Sequence, residues 1–80
     1  MDINEALDEF DLPDGATHAD LRTAHRELIQ IFHPDRYSGK PNVKLRAEER
    51  TKRINLAKEF LDQLNVTAFY RTKERRESSG

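Results

Sequence analysis

Apolar positions recur with a helical period in three stretches of this chain, separated by two clusters of turn residues. Ile3, Ala6, Leu7 and Phe10 fall at i, i+3, i+4 and i+7 and predict a short first helix from Asp2 to about Phe10. Asp2 followed by Glu5 reads as an N-cap with its reciprocal partner, and acids in a first turn suit the positive end of the helix dipole. Leu12-Pro13-Asp14-Gly15 then supplies a fixed φ and a residue tolerant of positive φ, the chemistry of a turn. A second helix is expected from Thr17, an N-cap with Asp20 three residues on, through the stripe Leu21, Ala24, Leu28, Ile31 and Phe32. Pro34 stops it, because the residue before a proline is pushed out of the α region. Arg36 to Pro41 reads as a loop. The third helix starts at Pro41 or Asn42 and runs to about Leu64, with Val43, Ala47, Ile54, Ala57, Leu61 and Leu64 towards the core and Leu56 and Phe60 widening that face. Val66, Phe69 and Tyr70 suggest a short last helix within Val66–Glu77, and the charged end from Arg75 reads as a frayed tail or linker.

These elements predict an all-α fold in which two antiparallel helices are joined by an exposed charged loop and the short first helix lies across them. The domain is expected to span residues 1–65, with residues 66–80 as a short helix and tail. Composition then narrows the class. Eighty residues with 35% hydrophobic and 36% charged side chains make one domain with a thin core. Such a core supplies about 3–5 kcal/mol net and leaves little interior for a desolvated active site, which favours a binding module over an enzyme. The chain has no cysteine, which excludes a disulfide scaffold, a thiol nucleophile and a cysteine-ligated metal centre. No apolar run is long enough for a membrane span or a secretory signal, so a monomer in the cytoplasm is expected.

The net charge of −1 conceals an asymmetry. Residues 1–20 hold seven acids and no Lys or Arg, whereas residues 21–80 hold all 14 basic residues and eight acids. An acidic head beside a basic body fits a protein that offers a basic face to an acidic partner; two ordinary solvated helix faces are the plainer alternative.

Candidate chemistry concentrates at His33-Pro34-Asp35, where the second helix meets the loop. Pro34 fixes the backbone there, so His33 and Asp35 are held in a defined, exposed geometry. On its structural reading alone, His33 caps the helix, Pro34 ends it and Asp35 starts a turn. His18, His25 and His33 are spaced seven and eight apart, which is not a metal-binding spacing. A His33–Asp35 acid/base pair lacks a third group and a pocket. No metal or cofactor is expected.

In this setting the chain resembles the J domain of DnaJ-type co-chaperones. The resemblance covers residues 3 to 65. It rests on His33-Pro34-Asp35 with Arg36 after it, on Leu21-Arg22-Thr23-Ala24-His25-Arg26-Glu27-Leu28 before it, and on Ala47-Glu48-Glu49 and Ile54-Asn55-Leu56-Ala57-Lys58-Glu59-Phe60-Leu61 downstream. Ala6-Leu7, Phe10 and Leu12-Pro13 are similar to the family's first helix and its turn. The resemblance implies a module that binds a DnaK-type (heat-shock 70 class) chaperone and stimulates its ATP hydrolysis. The binding residues it implies are His33, Pro34, Asp35, Arg22, His25, Arg26 and Arg36. Arg22, Arg26 and His33 are one and two turns further apart along one helix face, where they would steer the partner in a salt-sensitive way. Asp35 would offer a carboxylate to a partner arginine.

Several positions depart from the family pattern. His25 stands where a tyrosine is usual, Glu27 where a basic residue is common, and Gln30 and Ile31 replace a lysine pair. Thr51 and Lys58 stand where a core aromatic and a tyrosine are typical, which implies a lighter core between the second and third helices. Two further readings therefore stay open: a J-like domain with lost or altered chaperone activation, and a small helical nucleic-acid binder using Arg22, Arg26, Arg46, Arg50 and Arg53. The pI near 6.3 and the acidic head weigh against the latter, so no nucleic acid or membrane is expected as a partner. Nothing resembles the Gly/Phe-rich, zinc or substrate-binding regions of full DnaJ proteins, so the chain reads as an excised J domain or as a minimal J protein.

Overall fold

A computed structural model describes residues 1–72. Helices α1 (Ile3–Glu9), α2 (His18–Phe32) and α3 (Pro41–Asp62) form in order, with one turn of 3-10 helix at Pro34–Tyr37 between α2 and α3. The fold is all-helical. Among the described residues, no helix is long and apolar enough to cross a membrane.

The N-termini of α1 and α2 are set by reciprocal caps. Asp2 Oδ1 accepts from the Glu5 N–H at 2.9 Å while Glu5 Oε1 accepts from the Asp2 N–H at 3.2 Å. Thr17 Oγ1 and Asp20 Oδ2 repeat the arrangement at α2, at 3.2 and 3.0 Å. Each box satisfies two donors that a helix start otherwise leaves unpaired.

The end of α1 lies earlier than the Leu12–Gly15 turn. Asp11 takes a left-handed φ of 53°. The Leu12 N–H then reaches the Leu7 carbonyl at 3.0 Å and the Asp11 N–H reaches Asp8 at 3.1 Å, the doubled closure of a Schellman motif. An aspartate occupies the position where glycine is commonest. Gly15, at φ 90°, instead turns the chain so that its N–H meets the Phe69 carbonyl at 2.7 Å.

Three contacts fix α2 and α3 as an antiparallel pair: His18 beside Asp62, His25 bonded to Asn55, and the Phe32 carbonyl bonded to Thr51. α1 packs on this pair, chiefly on α3. The core is one cluster in which Ala6, Leu7 and Phe10 meet Leu21, Ile54, Ala57 and Leu61. Val43 and Leu56, expected on the core face of α3, are instead exposed. Leu56 lies about 100° around the helix from Ala57 and about 200° from Ile54, which puts it off the buried line. Ile31, expected in the α2 stripe, is also exposed.

The segment after α3 is not a fourth helix over its described part. Residues 66–72 run without helix, and Phe69 forms an isolated antiparallel bridge with Ala16. Residues 73–77 of the expected helix lie outside the described residues. The helix-like spacing of Val66, Phe69 and Tyr70 is overridden by what Phe69 finds: a fully buried seat, backbone bonds to Ala16 and Gly15, and the edge of the His18 ring at a centroid distance of 4.8 Å. Arg71 follows with its guanidinium on Asp8 at 2.8 Å and its N–H on Asp14 at 2.8 Å, and the Thr72 N–H bonds Asn4 Oδ1 at 2.8 Å. The segment is a strap across α1 and belongs to the folded unit, although the domain was expected to end at residue 65.

The candidate docking turn and the basic face of α2

The last four carbonyls of a helix have no partner within it. At the end of α2 three of them are capped by side chains. Arg36 Nη1 donates to the Gln30 carbonyl at 2.9 Å, the Tyr37 hydroxyl to Ile31 at 2.9 Å, and the Thr51 hydroxyl to Phe32 at 3.2 Å. The Arg36 N–H closes the next turn on the His33 carbonyl at 3.0 Å. Two caps come from the 3-10 turn and one from α3, so the tripeptide is braced from both sides. At about 1 kcal/mol net for each bond, the brace matters in a domain of this size. Thr51 is thus a cap for α2.

His33 leaves the helix at φ −62° and ψ 125°, the extended conformation that a following proline imposes. Its Nδ1 accepts from the Asp35 N–H at 3.3 Å, and the Asp35 carboxylate lies 3.8 Å from the same nitrogen. One nitrogen cannot serve both contacts. The backbone bond is the closer, and the Asp35 side chain is 89% exposed. Both side chains point to solvent: His33 is 52% exposed, and the Asp35 carboxylate keeps its lone pairs free for an external donor.

Upstream, Arg22, His25, Arg26, Ile29 and Gln30 share one face of α2 and, with Lys58 of α3, line a shallow groove of about 370 Å³. Arg22 and Arg26 are exposed and make no ion pair among the described residues. His25 is half-buried and tied: Nε2 pairs with Asn55 Oδ1 at 2.9 Å and the ring lies 6.3 Å from that of Phe10. Lys58 is held by Asp62 at 2.7 Å. Glu27 sits about 100° around the helix from Arg26, off this face.

Of the site residues expected from sequence, His33, Pro34 and Asp35 form the turn, and Arg22, His25 and Arg26 line the groove that leads to it. Arg36 is drawn back onto the helix end. Sequence reasoning missed Tyr37 and Thr51, whose hydroxyls point inward to carbonyls; Tyr37, in the turn after the helix stop, offered a local signal, whereas Thr51, within α3, offered none. It also left open the fate of the acidic head. Asp2, Glu5 and Asp20 are caps, Asp8 and Asp14 take Arg71, and Glu9 takes Arg50 and Arg53 at 3.4 Å each. Glu9 Oε1 and Arg50 Nε are buried and face each other without hydrogen-bond geometry, a charge contact only. All of the head's acids but Asp11 thus serve contacts within the fold, while Arg22 and Arg26 stay available. Among family models, curated proteins and solved structures, none matches this chain.

Proposed function

We propose that this chain is a J-domain-like docking module that binds a DnaK-type (heat-shock 70 class) chaperone and stimulates its ATP hydrolysis, contributing no chemistry of its own. The observation that carries the reading is the braced turn. His33-Pro34-Asp35 is exposed yet fixed by caps from both flanking elements, so a partner meets a preformed shape and loses little ordering entropy on binding. The Asp35 carboxylate suits a bidentate contact with a partner arginine, and Arg22 and Arg26 steer an acidic surface towards the turn.

The test is single-turnover ATP hydrolysis by a DnaK-type chaperone with and without this protein. Stimulation is expected, and His33→Gln and Asp35→Asn are expected to remove it with the helical circular dichroism unchanged. Equal stimulation by the variants overturns the assignment. One observation favours a second reading, a J-like domain that binds without activating: His25 is tied to Asn55 and presents little of its ring. That reading predicts chaperone binding with no stimulation at saturating concentration.

A further inference from the structure

The valley between α2 and α3 is filled along only part of its length. α1 has seven residues and α3 has 22, so α1 covers about 10 Å of a helix about 33 Å long. Where α1 lies, Ala6, Leu7 and Phe10 seat against Ala24 and Leu28 of α2 and Ile54 and Ala57 of α3. Beyond Glu9, towards the 3-10 turn, the valley is open. Phe32 and the arginines Arg46, Arg50 and Arg53 line a groove of about 650 Å³ there, which passes over the outer face of α3 to Leu56. It runs on into a hollow of about 110 Å³ beside Val43 and Ala47, with Phe32 and Arg46 common to both.

The rim of this open half is apolar where solvent would favour polar residues. Ile31 is 50% exposed and Val43 40%. Ile31 lies three residues after Leu28 and seven after Ala24, on the stripe that α1 covers further back. It continues that stripe past the point where α1 stops. The groove lining carries four basic side chains against one acid, Glu49. Arg50 and Arg53 already receive the Glu9 carboxylate, and the Arg50 guanidinium also lies over the Phe32 ring at 5.1 Å. Arg46 makes no ion pair among the described residues.

The occupant of the filled half shows what the open half accepts. α1 presses an apolar stripe into the valley and sets a glutamate against the arginine wall. We propose that the open half docks an acidic amphipathic helix of a partner protein, placed end to end with α1. Its apolar stripe would lie on Ile31, Phe32 and Val43, and its carboxylates on Arg46 and Arg50. A nucleic acid fits less well, because the exposed apolar residues at the rim are aliphatic and offer no faces for base stacking. Ile31 and Arg22 are nine residues apart and face opposite ways on α2, so this surface is separate from the basic face of that helix and does not rest on the chaperone reading.

The test uses the whole chain and a short fluorescein-labelled peptide with Leu and Phe at i, i+4 and i+7 and Glu on the flanks, beside a twin with Gln for each Glu. Fluorescence anisotropy is expected to show saturable binding of the acidic peptide. Arg46→Glu and Val43→Ser are each expected to weaken it about tenfold, whereas Arg22→Glu, across the helix, leaves it unchanged. Both groove residues are solvent-facing, so the variants keep the fold, as circular dichroism will verify. Amide shifts on titration are expected at Phe32, Val43 and Arg46. The inference is overturned if the peptide does not saturate, if the Gln twin binds equally, or if the shifts fall only on Arg22, His25 and Arg26. Equal displacement by a single-stranded oligonucleotide of the same charge assigns the groove to nucleic acid and overturns it too. So does concentration-dependent self-association that Val43→Ser abolishes.

Discussion

Phe69 is the residue whose loss tests the architecture most directly. It lies beyond the stretch in which the sequence pattern places the domain, yet it is fully buried in the central cluster. Burying a phenylalanine removes roughly 150–250 Å² from water, or about 4–6 kcal/mol at 25 cal/mol per Å², an upper bound because unfolded chains are partly collapsed. Measured Phe→Ala losses in cores run at about 3–5 kcal/mol. A domain of this size holds a net reserve of about the same amount. Phe69→Ala is therefore expected to lower the melting temperature by at least about 12 °C and to leave a large unfolded fraction at 37 °C. A chain ending at Asn65 is expected to behave at least as badly, since it also loses Arg71 and Thr72. Urea and thermal unfolding followed by circular dichroism at 222 nm supply the measurement, with Tyr70→Ala, whose side chain is mostly exposed, as the control. If the truncated chain melts within a few degrees of the full chain, Phe69 does not hold the core and the strap is incidental.

Other variants probe single features. Gly15→Ala places a side chain at φ 90°, with only the Tyr70 hydroxyl as near as 4.0 Å, so its cost is the backbone alone: about 1–2 kcal/mol by urea midpoint. Thr17→Ala removes the α2 cap and is expected to cost about 1 kcal/mol, while Thr17→Asn restores most of it. Thr51→Val keeps the shape but strips the Phe32 carbonyl of its donor. A loss of about 1 kcal/mol is expected, with faster hydrogen exchange at Arg36, whose N–H bonds the adjoining His33 carbonyl.

The helices were legible because their determinants are local. Asp2 with Glu5 and Thr17 with Asp20 mark starts within one turn, and Pro34 marks a stop through its own ring. The tripeptide was legible for the same reason, since its extended backbone follows from the proline. What escaped depends on partners far along the chain. Val66, Phe69 and Tyr70 are spaced as a helix would space them, and only the gap beside Ala16 and His18 converts them to a strap. Val43 and Leu56 fit the apolar count of α3, but α1 is too short to reach Val43, and Leu56 points away from the buried line. The head's acids were visible as a charge imbalance, whereas their assignment to Arg50, Arg53 and Arg71 requires the tertiary fold. Thr51 looked like a deficit in the core because its residue type, not the carbonyl above it, was in view.

The strap has a consequence for the order in which the molecule is made. Asn4 and Thr72 bond across 68 residues of chain, and Asp8 and Arg71 across 63. Contacts of such span close slowly and only after nearer pairings have shortened the loop between them. On a ribosome, where the N-terminal part emerges first, α1 can cap and α2 can pair with α3, but the seat beside Ala16 stays empty until Phe69 has cleared the exit tunnel. Helix α1 is thus held in place by residues 63 and 68 positions further along the chain than their partners. Until they arrive, the early helices are a partial assembly with their apolar faces open to water.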